Sequence, residues 1–368
     1  MAAGGFRMTK ITFYPLGNAD TTLVQLKDTR SILVDYCNKE DGFDLKGALE
    51  GYLEDNKKDA FDVVAFTHAD SDHVSGMEDF FWLDYAKKYQ QEGRPKIKEL
   101  WVPAVLIMES GLSGSAAVLQ REAKYRIKEG QGKGIRVFGC TEALTEWLEN
   151  ENVQPKIQWA GELVDGFSEV KGGVEVFVHS PFSFKMDDDE EERNDNSIVL
   201  HLTFFEDGDE TRFMIGADAG FETWGNIVYM TEKRRNSERL QWDIFGISHH
   251  CSYLSLSDEK GRFKTKPTEE VERLMSEGGQ NAFLISSSDP ISSKDTQQPP
   301  HFQAAEYYKS LAEAKGRGDH FLVTMEYPNK EKPKPIVLEI SKYRATLKTA
   351  VTAPAAVASA VSATPRFG

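Results

Sequence analysis

Short apolar runs separated by polar turns open the chain. Residues 11–14 (ITFY), 22–26 (TLVQL) and 32–35 (ILVD) are apolar or alternating, with Gly17-Asn18 and the polar stretch Lys27 to Arg30 between them. This pattern predicts a meander of antiparallel strands. Leu45, Ala48, Leu49, Tyr52 and Leu53 then recur at helical spacing. Residues 61–67 (FDVVAFT) form a near-continuous apolar run, the pattern of a strand buried on both faces. Met77, Phe80, Phe81, Leu83 and Tyr85 predict an aromatic helix packed on the sheet, and 98–102 (KELWV) another strand.

The second half repeats this grammar. Strands are expected at 174–178, 198–205, 213–217, 243–248 and 282–286, and helices near 267–277 and 302–313. Strands, helices, strands and helices in that order predict an α/β fold, a four-layer αββα sandwich in which two sheets face each other under helices. Residues 1–345 read as one domain and 346–368 as an Ala/Thr/Pro-rich disordered tail. The acidic run 186–192 (MDDDEEE) reads as a solvated loop.

Composition narrows the partners. With 368 residues, 40% hydrophobic and 28% charged, the chain can bury a substantial core. No apolar stretch approaches the roughly 20 residues of a membrane span, and Met1 to Lys10 lacks a secretory core, so a cytoplasmic protein without membrane contact is expected. Three widely spaced cysteines leave any metal to imidazoles and carboxylates. The net charge of -15 argues against an extended track for duplex nucleic acid. Compact basic groups are found at Lys96, Lys98, Lys233, Arg234 and Arg235, which favours a nucleotide or a short or single-stranded substrate over long duplex.

The candidate chemistry starts where the run 61–67 stops. His68-Ala69-Asp70-Ser71-Asp72-His73 places four potential metal ligands within six residues, ahead of Gly76 and a helix. Alternate side chains of an extended segment point the same way, so His68, Asp70 and Asp72 converge while the turn brings His73 beside them. The competing reading is a polar strand-to-helix turn in which Asp70 or Asp72 caps the helix.

This cluster resembles the His-x-His-x-Asp-His signature of the metallo-β-lactamase superfamily, with Asp70 in the second histidine's place. The stretch THADSDHVSG is similar to the Thr-His-x-Asp-x-Asp-His-x-x-Gly form found in the soluble hydrolase domain of ComEC-type competence proteins. Further segments follow in matching order over roughly residues 10–345. Gly17 to Val24 with Ile32 to Asp35 is similar to the family's opening hairpin, which implies that Asp20 and Asp35 lie near the site, each read here as a turn residue. His179-Ser180-Pro181 ends a strand where relatives often place a ligand. Asn196 and Ser197, before IVLHLTF, are similar to a loop-fixing pair, while His201 reads as a packing residue. Phe213 to Asp218 is similar to a strand ending in a bridging carboxylate, although Ala217 is inserted before Asp218. Ser248-His249-His250-Cys251-Ser252 resembles a Ser-His-His-Gly-Ser element with Cys251 in the glycine position, which requires a positive φ of a residue that disfavours it. Pro300-His301 is similar to a late Pro-His element.

The resemblance implies two divalent metal ions, zinc or manganese, sharing a hydroxide that attacks the substrate. His68, Asp70 and His179 are assigned to one ion, Asp72, His73 and His249 to the other, and Asp218 to a bridge. Asp72, His250 and His301 are the expected catalytic contacts, with His250 as acid or phosphate contact and His301 at a leaving group. Asp70 in place of an imidazole is expected to shift preference from zinc toward manganese or a mixed site. The implied activity is that of a phosphodiesterase or nuclease. Alternatives are hydrolysis of a thioester, lactone or lactam, or a metal-binding sensor or scaffold subunit. Partner proteins of a bacterial system are implied without identity, and the sequence leaves the oligomeric state open.

Overall fold

The computed structural model describes residues 8–39, 42–182 and 196–348. In chain order the first half comprises β1 (Thr9–Phe13), β2 (Thr22–Gln25), β3 (Ser31–Val34), α1 (Leu45–Asp55), β4 (Ala60–Ala65), α2 (Ser71–Val74), α3 (Met77–Phe80), β5 (Lys96–Pro103), α4 (Ala104–Met108), α5 (Gly114–Lys128), β6 (Ile135–Phe138), α6 (Glu142–Glu151) and β7 (Lys156–Gln158). The second half comprises β8 (Val174–Ser180), β9 (Val199–Glu206), β10 (Asp209–Ile215), α7 (Phe221–Lys233), β11 (Trp242–Ile247), α8 (Glu269–Ser276), β12 (Gly278–Ser286), α9 (Phe302–Ala314), β13 (Phe321–Val323), β14 (Ile336–Ser341) and β15 (Arg344–Leu347).

The strands form two sheets, in the orders β15-β14-β1-β2-β3-β4-β5-β6-β7 and β13-β12-β11-β10-β9-β8. From β3 to β7 the first sheet is parallel, and so is the second from β10 to β13. Each parallel crossover places a helix on an outer face.

Side-chain alternation separates three apolar layers. Ile11, Phe13, Ile32, Val34, Val63 and Ala65 of the first sheet meet Val174, Val176, Val178, Leu200, Leu202, Phe213 and Ile244 of the second. On the far side of the first sheet, Leu33, Val64 and Phe66 pack with Leu49 and Leu53 of α1, Phe80 of α3 and Leu119 and Ala123 of α5. Met214, Phe245 and Ile247 of the second sheet pack with Trp224 and Ile227 of α7, Leu274 of α8 and Tyr308 of α9. The result is the expected αββα sandwich. Fully burying each Val, Leu, Ile or Phe side chain contributes roughly 1.5–3 kcal/mol, so the closed middle layer holds the sheets firmly together.

The last strand ends at Leu347 and pairs with β14 as far as Leu338. Residues 346 and 347 therefore belong to the sheet, a correction to the tail boundary, because Thr346 and Leu347 continue a paired alternating strand. The acidic run 186–192 and residues 349–368 lie outside the described residues. No helix among the described residues is long and apolar enough to cross a membrane.

Candidate metal centre

The run 61–67 delivers its polar cargo at the carboxyl end of β4. Asp70 takes the N-cap position of α2 with extended backbone, yet its side chain makes no cap hydrogen bond. The helix thus does not consume the carboxylate, which lies 3.9 Å from His68 Nε2. His73, in the first turn of α2, is fully buried.

Residues from three other places converge on this loop. Asp218 follows β10 and is buried. Its Oδ2 is 3.7 Å from His68 Nε2 and its Oδ1 3.3 Å from His73 Nε2. His250 follows β11, with Nε2 3.1 Å from Asp72 Oδ2. Asp20 comes from the β1–β2 connection, its Oδ2 3.8 Å from His73 Nε2 and 3.7 Å from His250 Nδ1. Its backbone N–H donates to Asp72 O at 3.1 Å, which pins the two loops together. Two sets of potential ligands result, Asp20-His73-Asp218-His250 and His68-Asp72-His73, each with its donor atoms within 4.8 Å of one another.

The imidazoles are held by the nitrogen that faces away from the centre. His73 Nδ1 donates to Asp35 Oδ2 at 2.8 Å, and Asp35 also accepts from Thr67 N and Thr67 Oγ1, both at 2.7 Å. With its proton committed to Asp35, Thr67 Oγ1 accepts from His68 Nδ1 at 3.1 Å. His250 Nδ1 donates to Ser287 O at 2.8 Å. All three rings therefore present Nε2 inward, the arrangement that fixes the tautomer of metal-ligating histidines. His68 Nε2, His73 Nε2 and Asp218 Oδ1 are buried with no hydrogen-bond partner. Buried polar atoms left unpaired are costly, and a divalent cation between them would satisfy all three, so the residues fit the implied metals.

Electrostatics agree. Burial alone would raise the Asp218 carboxyl, but the surrounding His73, His250 and His68 hold it well below the usual carboxylate range. Burial would lower His73, yet Asp218 and Asp35 lift it well above the ordinary value. In His250 burial is likewise outweighed by Asp218, Asp72 and Asp20, which bring it up to about 9. Desolvation pushes Asp20 up to about 6 against the pull of His250 and His73. Burial and the neighbouring His73 depress His68 to about 4, which leaves it a neutral ligand. The carboxylates thus hold protons on His73 and His250 that an incoming cation would displace.

Backbone strain is concentrated here. Asp35 (φ 58°), Ala217 (φ 46°), His249 (φ 51°), His250 (φ 52°) and Cys251 (φ 65°) are all left-handed without being glycine. Ala217 turns the chain so that Asp218 enters the centre, and its carbonyl accepts from His249 N at 3.0 Å. Cys251 adopts the conformation its glycine-like position requires, its side chain fully buried. Left-handed non-glycine residues cluster at functional sites because the surrounding structure must impose them.

Several expected roles are redistributed. His179 does not reach the centre: its Nε2 donates to Arg239 O at 3.0 Å and its Nδ1 accepts from Thr231 Oγ1 at 3.4 Å. The cause is strand alternation, since Val174, Val176 and Val178 face the middle layer and His179 must face the other way. There it meets His201 edge-to-face. His250, not His249, enters the ligand sets, because the left-handed turn carries the second histidine inward while His249 stays partly exposed. His301 belongs to neither set: its Nδ1 accepts from Tyr253 N at 3.3 Å and its Nε2 lies 3.4 Å from Gln297 O, which ties two loops together. Asp20, read as a turn residue, is grouped with the ligands. Asp35 positions His73. Ser197 is fully buried after Asn196, and the next residue, Ile198, donates its N–H to Thr67 O at 3.0 Å, which sets this segment beside the His68 loop. Sequence reasoning gave no role to Thr67, although it opens the THADSDHVSG stretch, or to Ser287, whose contribution is a backbone carbonyl without a side-chain signature.

No protein-family model and no curated relative matches the chain. Among solved structures it is similar to the metallo-β-lactamase GOB-18 from Elizabethkingia meningoseptica, at 12% identity over 72% of this chain and 88% of that one, with a TM-score of 0.31. It is similar to the class B3 di-zinc metallo-β-lactamase LRA-12 from an Alaskan soil metagenome, at 14% identity over 75% and 96%, with a TM-score of 0.32. It is also similar to a diphosphatase of the PhnP family, at 9% identity over 77% and 87%, with a TM-score of 0.31. Activity does not transfer at such distances, so function has to be argued from the site itself.

Proposed function

We propose that the chain is a dinuclear metal-dependent hydrolase of the metallo-β-lactamase type, acting on a phosphodiester of a nucleotide or of short or single-stranded nucleic acid. The observation that carries this reading is the Asp218 carboxylate, one oxygen toward His68 and the other toward His73. Divalent cations held there would supply Lewis-acid charge to the reacting oxygen and acidify an attacking water. The chain's own residues do the rest. Asp35 and Ser287 O lock the rings of His73 and His250. Asp70 and Asp72, each about a third exposed, form the opening and meet water and substrate first. The partly exposed His249 takes the place of His250 as the imidazole available to donate a proton to a leaving group.

A loop after the histidine turn supports an anionic, base-carrying substrate. Lys260, Arg262, Lys264 and Lys266 surround Phe263, which is 69% exposed. Arg262 lies over the Phe263 ring at 4.8 Å, and Lys260 over Tyr253 at 5.7 Å. Cations beside an open aromatic face suit the stacking of a base with phosphate contacts around it. Lys260 is itself paired with Asp295 at 2.7 Å, as Lys96 and Lys98 are with Asp59 and Asp62, which leaves Arg262 beside Phe263 as the cation this reading relies on. The free thiols of Cys37, Cys140 and Cys251 support a cytoplasmic setting.

The test is a panel of bis-p-nitrophenyl phosphate, linear DNA, cyclic nucleotides, nitrocefin and a glutathione thioester, each assayed with manganese and with zinc. Turnover of the phosphodiesters is the expected result. Turnover of nitrocefin or the thioester alone would replace the substrate class, and no turnover of any would sink the hydrolase reading.

A further inference from the structure

We propose that a groove at the amino end of the second sheet, away from the metal centre, binds a purine mononucleotide, its base stacked on His320 and its phosphate on Arg344. None of the candidate metal ligands takes part, so the proposal does not rest on the hydrolase reading.

The groove has a volume of about 360 Å³ and opens where Asp243 of β11 and Gln280 to Phe283 of β12 lie across from Tyr343 to Leu347 at β15. That volume falls within the range of small-molecule sites. β11 starts at the groove and runs away from it, and His250 follows its far end. A strand of six residues spans roughly 20 Å, which keeps the two places apart.

β12 is irregular here. It takes five residues, from Gly278 to Phe283, to cover the step that β11 covers in two, from Trp242 to Ile244. Such an insertion re-aims the side chains it carries. Asn281, left-handed at φ 60°, is pinned on both sides: its N–H donates to Lys315 O and its carbonyl accepts from His320 Nδ1, each at 2.8 Å. The His320 ring lies flat on the buried Phe283, with centroids 3.8 Å apart and 13° between the planes. Phe283 thereby backs one face of the imidazole and leaves the other to the groove. Burial, helped by Arg317, lowers His320 below its ordinary value, so the ring is neutral at pH 7 and suits stacking.

The rim supplies the remaining recognition. The side-chain amides of Gln280 and Asn281 make no hydrogen bond among the described residues, and amides of this kind pair with the N6 and N7 edge of a purine. Most charges cancel: Arg212 is matched by Glu210 and Asp243 at 2.5 and 3.9 Å, and Arg317 by Asp319 at 2.8 Å. Arg344 and Lys342, at the turn from β14 to β15, have no carboxylate partner among the described residues. Two unmatched cations beside a stacking face suit a single phosphate.

The experiment titrates the full chain, chelated so that no metal holds phosphate, with adenosine, guanosine and cytidine monophosphates, adenosine and inorganic phosphate by calorimetry. One site per chain is expected for a purine mononucleotide, with the cytidine nucleotide and phosphate alone clearly weaker. His320→Ala should weaken purine binding about fivefold or more. Arg344→Ala should weaken the nucleotide about tenfold or more and leave adenosine unchanged. Phe263→Ala, in the loop after the histidine turn, should bind as the parent does. Circular dichroism shows that each variant is folded, and Arg344, exposed on the rim, keeps the test available should His320→Ala unfold. Purine binding that is absent at millimolar concentration, unchanged in Arg344→Ala, or lost in Phe263→Ala would overturn the proposal. So would equally tight binding of the cytidine nucleotide. Neither metal nor turnover enters these measurements, so the groove stands or falls separately from the hydrolase reading.

Discussion

The carboxylate of Asp218 spans His68 and His73, with Oδ2 3.7 Å from one Nε2 and Oδ1 3.3 Å from the other. One buried side chain thereby couples both halves of the centre. Asp218→Asn is expected to abolish hydrolysis, a larger effect than the roughly 10–100-fold typical of outer residues. It should also destabilise the chelated protein by about 1–3 kcal/mol, because His73 loses one of its two buried carboxylate neighbours and keeps only Asp35. A turnover assay checks the first and denaturant unfolding with and without chelator the second, and an Asp218→Asn variant with parental metal content would contradict the bridge.

Asp35 touches His73 and no substrate, so its effect should pass through the ring it holds. Asp35→Asn is predicted to lower metal affinity about 10–100-fold. Asp35→Ala should do more, since Thr67 N also loses its acceptor. The discriminating measurement is rescue: excess metal should restore turnover in Asp35→Asn, which a purely structural defect would not allow.

The left-handed Ala217 sets the direction of Asp218. A left-handed L-residue costs roughly 1–2 kcal/mol, and a glycine there recovers most of it at an unfolded-state cost of roughly 0.5–1 kcal/mol. Ala217→Gly should therefore melt at the parental temperature or slightly above. Ala217→Val should lose about 2 kcal/mol or more and bind metal poorly, because a β-branched residue resists positive φ. Similar melting temperatures and metal content in both variants would show that the turn does not govern the carboxylate.

His179 and His201 form a neutral buried pair outside both sets of potential ligands. Desolvation lowers His179 to about 4 from the ordinary value of 6.5. Burial, with the neighbouring His179, lowers His201 to about 3. Below pH 6.5 the unfolded chain takes up protons that the folded chain refuses, so this pair's contribution is complete above 6.5 and is lost as the pH falls toward about 4 and 3. The slope is at most about 1.4 kcal/mol per pH unit for each histidine. Comparing the parent with His179→Gln/His201→Gln by denaturant unfolding across this range isolates the pair, and identical slopes would refute it. The same double variant should keep the parental metal content.

What was legible in the sequence was local. An uninterrupted apolar run followed at once by HADSDH announces both a buried strand and its chemical cargo, and an apolar strand ending in Asp218 does the same more quietly. The four layers followed from alternation in the longer strands. Short elements such as β6, β7 and α6 escaped, because strands of four and three residues and a helix with one fully buried residue leave little periodicity to read. The choice between His249 and His250 depended on a left-handed turn that Cys251 conceals, since glycine is the residue that normally signals it. His179 was misplaced although its strand was correctly placed: carrying the inward alternation of Val174, Val176 and Val178 one residue further would have turned it away. Asp20 was brought near the site only by the resemblance of its hairpin and read as a turn residue, because its grouping with His73, Asp218 and His250 comes from contacts far along the chain.

The set Asp20-His73-Asp218-His250 draws on Asp20 and His73 from one sheet and on Asp218 and His250 from the other, so no short fragment of the chain contains it. Folding must come first and metallation last. An ion bound by that set would be a clasp fastened across two closed halves, and its grip would report, more sensitively than the core itself, whether those halves have met in register.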